Sequence, residues 1–365
     1  MTPDERVATR TQRSTRWVFP SDALDRATVG VPALLNERLD AFGIDFSIVY
    51  PTLGLRSGYF EHPSDLRRAV CRAHNKMSAD MFADYADRMT PVAVIPMLTP
   101  EEAIDEVDYA VNELHLKAAM IMGTVVRPIP TYADAARPPT FVDNLVLDQV
   151  YDYEPLWQKL LDLKIAVTTH SGSTGWSDRR SSTNDCFNHV GHFAEANHTF
   201  ARALFFSGVT YRYPQLNFAF LEGGVGWACN LLNDLIGHWH VRSAEALARM
   251  NPSNMDTDVL QRLYEEYGGK FLAHRAREQL DYLDLAYPGL DAAANTKKDL
   301  DAHGGEIWDD FGAAHISNEG DILERFTKSS YFGCEADDPM TALAFDSRFN
   351  RGLKPIFLAF RTSRT

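Results

Sequence analysis

PLWQKLLDLKIAVTTH, residues 155–170, decides the fold class. Residues 155–163 read as a helix and residues 165–169 as a short strand that ends on His170. Such short apolar runs alternate with helix-period segments along the chain, which is the signature of βα units around a parallel sheet. Upstream, residues 32–42 read as a helix: Leu35, Leu39 and Phe42 share a face, Pro32 suits the first turn and Gly43 the C-terminal cap. A strand over 44–50, a long helix over 64–85 and a strand over 92–97 come next. Thr99-Pro100-Glu101-Glu102 combines an N-cap, a proline at the first helical position and a capping-box glutamate. Ile104, Val107, Val111 and Leu114 are expected to form that helix's buried stripe, and residues 117–122 the next strand.

Further along, residues 123–152 form a long proline-bearing connection, a length usually reserved for functional or mobile loops. Beyond His170 the pattern predicts a helix over 192–204, a strand over 216–221 ending at Glu222-Gly223-Gly224, and a helix over 226–236. Residues 240–328 read as mostly helical, with one strand near Phe271. A strand over 329–334 ends at Glu335-Ala336-Asp337-Asp338-Pro339. The expectation is an α/β fold, a (β/α)8 TIM-type barrel distorted or incomplete at strand one. An arm (1–31) precedes the barrel (32–345), which carries insertions at 123–152 and 240–328, and a tail (346–365) ends the chain.

Composition narrows the function classes. Apolar residues make up 45% and charged residues 24% of the 365, a globular profile with enough apolar side chains for a large core. Against 36 Lys and Arg stand 50 Asp and Glu, a formal charge of -14 that repels phosphate backbones and anionic lipid. Nucleic acid and membrane surfaces are therefore not expected partners; a small-molecule substrate is. Cys71, Cys186, Cys229 and Cys334 are scattered, with no C-x-x-C pair, which argues against a disulfide scaffold or zinc knuckle. No apolar run approaches the ~20 residues of a membrane span, and the opening MTPDERVATRTQRSTR lacks the apolar core of a secretory signal. A cytoplasmic protein is expected. Nucleophile elbows, P-loops and dinucleotide fingerprints are absent.

In barrels of this kind chemistry sits where strands end. His170 shares strand parity with the small or polar Ala166 and Thr168, so it is expected to point into the barrel mouth. There an imidazole can bind a cation or move protons, or simply end the strand with a hydrogen bond. Glu222 shares parity with Phe218 and Phe220, which argues against an inward side chain, but bulges re-aim residues at strand ends. Its alternative role is to cap the following helix. Glu335 is the better carboxylate ligand of its cluster, since Asp338 before Pro339 suits a helix N-cap. His189, His192 and His198 lack the i, i+4 spacing of a helical metal pair; one of them is expected near the site as proton donor or supporting residue.

TTHSG (168–172) and YRYPQLNFAFLEGGVGWA (211–228) resemble the amidohydrolase superfamily, and GCEADDP (333–339) matches the position of its G-S-D segment. The nearest branch resembles the one holding aminocarboxymuconate semialdehyde and resorcylate-type decarboxylases. The resemblance implies a divalent metal (zinc, manganese or iron) with His170 as the strand-five ligand, Glu222 in place of a strand-six histidine and Glu335 in place of the aspartate. The strand-one H-x-H is missing: no H-x-H or E-x-H occurs before His62. The implied activity is that of a metal-dependent hydrolase or non-oxidative decarboxylase of a small carboxylated or cyclic substrate, with Glu222 and His170 as catalytic groups. The alternatives are a subunit of a heteromeric non-heme iron or manganese monooxygenase, and a metal-poor, non-catalytic partner subunit. A homo-oligomer, or a hetero-oligomer with a related subunit, is expected. Losing strand one would expose the edges of the strands at 44–50 and 329–334, to be covered by Trp17, Val18 and Phe19 or by a second chain.

Overall fold

The computed structural model describes residues 1–12, 21–52, 54–59, 64–135, 138–170, 180–250, 254–276, 309–335 and 338–358. Its strands are β1 (Ser47–Val49), β2 (Met89–Pro91), β3 (Ala93–Val94), β4 (Ala119–Ile121), β5 (Val125–Pro128), β6 (Thr140–Asp143), β7 (Val167–Thr169), β8 (Phe218–Phe220), β9 (Ser330–Glu335) and β10 (Lys354–Leu358). One parallel sheet has the order β10-β9-β8-β7-β4-β3, and β1 pairs in parallel with β2. Only Val92 separates β2 from β3. The Val92 N–H donates to Val49 O (3.1 Å) on one side and the Ala93 N–H to Ala118 O (2.9 Å) on the other. This single run therefore links β1 to the main sheet. β2, β3, β4, β7 and β8 are buried on both faces, as a parallel sheet wrapped by helices requires.

The helices that bridge the strands include α1 (Pro32–Phe42), α2 (Ser64–Phe82), α3 (Pro100–Asn112), α4 (Glu154–Asp162), α5 (His192–Phe206) and α6 (Gly226–Arg242). Thr99 and Glu102 form the expected capping box on α3, and Gly43 ends α1 in the left-handed conformation. Aromatic rings fill the layer outside the sheet. Phe220 stacks on Phe332 at 5.6 Å, and Trp157, Phe200 and Trp227 meet β8 and β9 edge-on.

Five local expectations change. The buried face of α3 is Glu102, Ala103, Glu106, Val107 and Ala110, rotated from the predicted stripe. The cause lies on α2: Arg67 holds Glu102 in a fork (2.6 and 3.2 Å), and Arg72 with Asn75 holds Glu106 (2.7 and 2.8 Å). Burial pushes the Glu106 carboxyl up despite those two partners. Second, the run expected as one strand over 92–97 starts at Met89 and ends at Val94. Third, the connection 123–152 contains an antiparallel hairpin, β5 with β6, clasped by Arg127 on Asp143. Fourth, Phe271 lies in a helical turn, Gly269–Leu272. Fifth, residues assigned to a tail form β10, which pairs with β9 from Lys354↔Tyr331 to Leu358↔Glu335.

The last change corrects the expected seam. The strand at 330–335 is not an edge, because β8 and β10 flank it. Among the described residues no ladder joins β1 to β10. Trp17, Val18 and Phe19, named as its plug, lie outside the described residues.

Residues Asp234–Glu319 form a second compact unit. Within it helix Thr257–Tyr267, capped by Asp256, leaves Val259, Leu263 and Tyr267 exposed. No helix among the described residues is long and apolar enough to cross a membrane.

Arg67 and Glu102 are only 3% and 4% exposed. Removing one partner leaves a buried charge alone, which costs about 3–5 kcal/mol. Arg67→Met should lower the urea denaturation free energy by that amount, while the exposed i, i+4 pair Lys76–Asp80 should contribute less than about 1 kcal/mol when Lys76 is changed to Met.

Candidate active site

Tyr50, His170 and Glu222 follow β1, β7 and β8 at the carboxyl ends of the parallel strands. Thr168 and His170 share a strand face as the alternation predicts. Tyr50 meets both: it is hydrogen-bonded with Thr168, and its ring lies 6.4 Å from the His170 ring. Burial raises the Tyr50 phenol to about 12, against a smaller opposing effect of the Thr168 bond, so it is a neutral hydroxyl at physiological pH.

Glu222 departs from the strand pattern. Regular continuation of β8 would send it outward behind Phe218 and Phe220. Instead its backbone adopts φ +58°, a left-handed conformation that costs a non-glycine residue about 1–3 kcal/mol. This twist breaks the alternation and brings Glu222 Oε2 to 2.5 Å from His170 Nε2. The carboxylate therefore goes to the histidine and not to the start of α6. The imidazole is nearly buried, with its residue 7% exposed, whereas the Glu222 side chain is 24% exposed. One member of the pair is thus sheltered and the other reaches solvent.

Phe193, near the start of α5, packs edge-on against His170 at 5.3 Å. The same ring touches His189 (5.1 Å) and the buried His192 (6.1 Å). Two of the three candidate histidines therefore adjoin the site through Phe193. His198 does not: its ring faces Trp227 at 6.3 Å, and Trp227 packs on Phe220 and Phe332 in the outer layer. Asp338 is an N-cap as expected, its Oδ1 accepting from the Met340 N–H (2.8 Å). Its other carboxylate oxygen lies against Gly224, where a Cβ would come within 2.8 Å and where φ is +69°. A side chain at that position would be strained.

Glu335 ends β9, but its side chain, with Ala336 and Asp337, lies outside the described residues. Among the described residues no group of three His, Cys, Asp or Glu is arranged to hold a metal ion. Sequence reasoning missed Tyr50 and Phe193. Tyr50 directly follows a strand, which is a usable signal; nothing in the spacing of Phe193 marks it.

Residues 49–253, 205 of the 365, match the amidohydrolase family model. No curated protein sequence matches the chain. Among solved structures it is similar to 5-carboxyvanillate decarboxylase from Sphingomonas paucimobilis, at 14% identity over 97% of this chain and 83% of that one, TM-score 0.51. A dihydroxybenzoic acid decarboxylase from a Polaromonas species, solved with bound manganese and 2-nitroresorcinol, shares 16% identity over 88% and 72%, TM-score 0.52. An amidohydrolase from Mycobacterium avium subsp. paratuberculosis shares 14% over 90% and 63%, TM-score 0.51. These likenesses bear on the fold, a TIM-type α/β barrel. With more than half of its length under the family model and its paired residues at the strand ends of that barrel, the chain belongs to the amidohydrolase family.

Proposed function

We propose that this amidohydrolase is an enzyme for a small carboxylated, cyclic substrate, with non-oxidative decarboxylation as its reaction and hydrolysis as the nearest variant. The observation that carries the reading is the contact between His170 Nε2 and Glu222 Oε2 at the mouth, reached through a strained backbone. Strain of that kind persists where the surroundings enforce it, and it concentrates at functional sites. The decarboxylases of dihydroxybenzoate and carboxyvanillate among the structural neighbours supply the substrate class.

Decarboxylation of an aromatic acid replaces one ring substituent by another. A proton adds to the ring carbon that bears the carboxylate, the carbon–carboxylate bond breaks, its electrons return to the ring, and carbon dioxide leaves. His170, sheltered and hydrogen-bonded to Glu222, is the proton donor in this reading. Glu222, partly in water, returns the proton. In hydrolysis the same pair would instead take a proton from attacking water. Tyr50, held neutral by burial, offers a hydroxyl at the same mouth.

The cofactor implied by the resemblance is a divalent ion, and manganese is bound in the Polaromonas structure. Two donors turned onto each other at 2.5 Å fall short of the three or four protein ligands of a zinc-type site. The described side chains do not fit a metal centre by themselves, and no step above is routed through one. Glu335 is the further ligand such a site would need. The shortage of donors equally favours a second reading, a non-catalytic subunit that kept the barrel. Both readings place the chain in a reducing compartment such as the cytoplasm, in keeping with four free cysteines. In both, an oligomer covers the edges of β1 and β10.

Three measurements test this. His170→Gln and Glu222→Gln should each cut carbon dioxide release from a dihydroxybenzoate or 5-carboxyvanillate by about 100- to 10,000-fold, the usual share of a general acid. The double variant should be no slower than the worse single, because the pair acts as one unit. An inactive wild-type chain on both acids would favour the non-catalytic subunit. Glu222→Gly should abolish turnover yet keep or raise the denaturation midpoint, since glycine adopts φ +58° without strain; a large drop in midpoint would show that Glu222 is structural. Elemental analysis should find manganese, zinc or iron well below one ion per chain, and an ion held stoichiometrically in wild type but lost in His170→Ala would restore the metal-dependent form of the site.

A further inference from the structure

Asn197 sits on α5, 3% exposed, and uses both ends of its amide. Its Nδ2 donates to the Leu221 carbonyl (2.8 Å), and its Oδ1 accepts from the Thr169 hydroxyl (3.1 Å). Thr169 directly precedes His170, and Leu221 directly precedes Glu222. A carbonyl only accepts, so the amide nitrogen must face Leu221, and this leaves the amide oxygen for Thr169. The Leu221 carbonyl fixes the orientation, and the Thr169 hydroxyl, which also lies 3.4 Å from Ala219 O, complements it as donor.

We propose that Asn197 is a positioning residue, which holds the ends of β7 and β8 so that His170 and Glu222 stay in contact; the proposal rests on the acid–base reading of that pair. The ladder itself ends here: the last backbone bonds between neighbouring strands are His170 N–H to Ile121 O and Leu221 N–H to Thr169 O, both 3.2 Å. His170 is thus the last paired residue of its strand, and among the described residues no backbone bond between strands is made by Glu222. Asn197 adds the missing cross-link from outside the sheet. It also anchors the residue before the left-handed turn, so the strain at Glu222 has a fixed support on its N-terminal side.

Gly223 is fixed on the other side by the same helix. A Cβ at Gly223 would lie 3.0 Å from Asn197 Nδ2, 2.9 Å from Trp227 Nε1 and 3.2 Å from the Ala194 Cα. Two of these neighbours cannot yield: one is helix backbone and the other a side chain already bonded at both ends. Glycine at 223 therefore lets α5 approach closely enough for Asn197 to reach the sheet. Both bonds and this close approach concern one amide, which separates Asn197 from an ordinary buried asparagine. Asn75 is such a control. It is equally buried and bonded, to Val94 and Glu106, but lies by β3.

The test is NMR of the chain with its 12 histidine rings labelled with nitrogen-15, the His170 signals being assigned by their loss in His170→Gln. Asn197→Ala should displace the His170 ring resonances, whereas Asn75→Ala should leave them in place even where it lowers the melting temperature as much. Thr169→Val should displace them in the same sense and Thr169→Ser restore them, which keeps the test decisive if Asn197→Ala does not fold. Where the wild type decarboxylates, Asn197→Ala should slow it at least tenfold, since misplacement of a reacting group by about 1 Å can cost about 100-fold. His170 resonances unchanged in both Asn197→Ala and Thr169→Val would overturn the proposal. Displaced resonances in a chain that turns over no substrate would uphold it and defeat the proposed reaction.

Discussion

Strands of two to four residues carry few ladder bonds, so most of this sheet leaves backbone groups near its ends without a neighbouring strand. Side chains complete those ends. Asn75 bonds both the N–H and the carbonyl of Val94, as a further strand would. Thr168 donates to Ala119 O, Tyr153 to Met97 O, Arg127 to Leu98 O and Ser329 to Pro214 O. Each of these donors is itself tied to a helix, a hairpin or the adjoining strand. Both ends of the sheet are therefore completed by polar side chains, and buried groups of that kind must be satisfied in full or not at all.

The same dependence separates the parts that were legible in the sequence from those that were not. Alternation of short apolar runs with helical segments led to the barrel reading, and the cap signals at Thr99, Gly43 and Asp338 were local enough to place three element ends. Parity also placed His170 on the face of Thr168, and Tyr50 lies beside both. The features that stayed hidden depend on long-range partners. The rotation of α3 comes from arginines more than thirty residues away. The β5–β6 hairpin was masked by prolines at 128 and 130, the first of which ends its strand. Parity pointed Glu222 the wrong way because a single left-handed residue cancels alternation, and no residue type there announces it. β10 contains a proline and a lysine, and it reads as a strand only beside β9.

The site shows how little machinery the amidohydrolase barrel needs to set two groups apart. His170 and Glu222 differ in exposure although their atoms touch, so the same contact has a dry side and a wet side. In the proposed reaction that asymmetry would shield the proton donor while leaving its supply open. Phe193 and Tyr50 both pack against the imidazole, and His189 and His192 meet the ring of Phe193.

Glu102 serves two structures at once. One oxygen accepts the Leu98 and Thr99 N–H groups that begin α3 and also meets Arg67 Nε, and the other takes Arg67 Nη2. Glutamine could still accept from the helix start but would set an amide against the guanidinium, and aspartate is one carbon too short to serve both. A single substitution at Glu102 would therefore disturb the helix start and the α2–α3 clasp together.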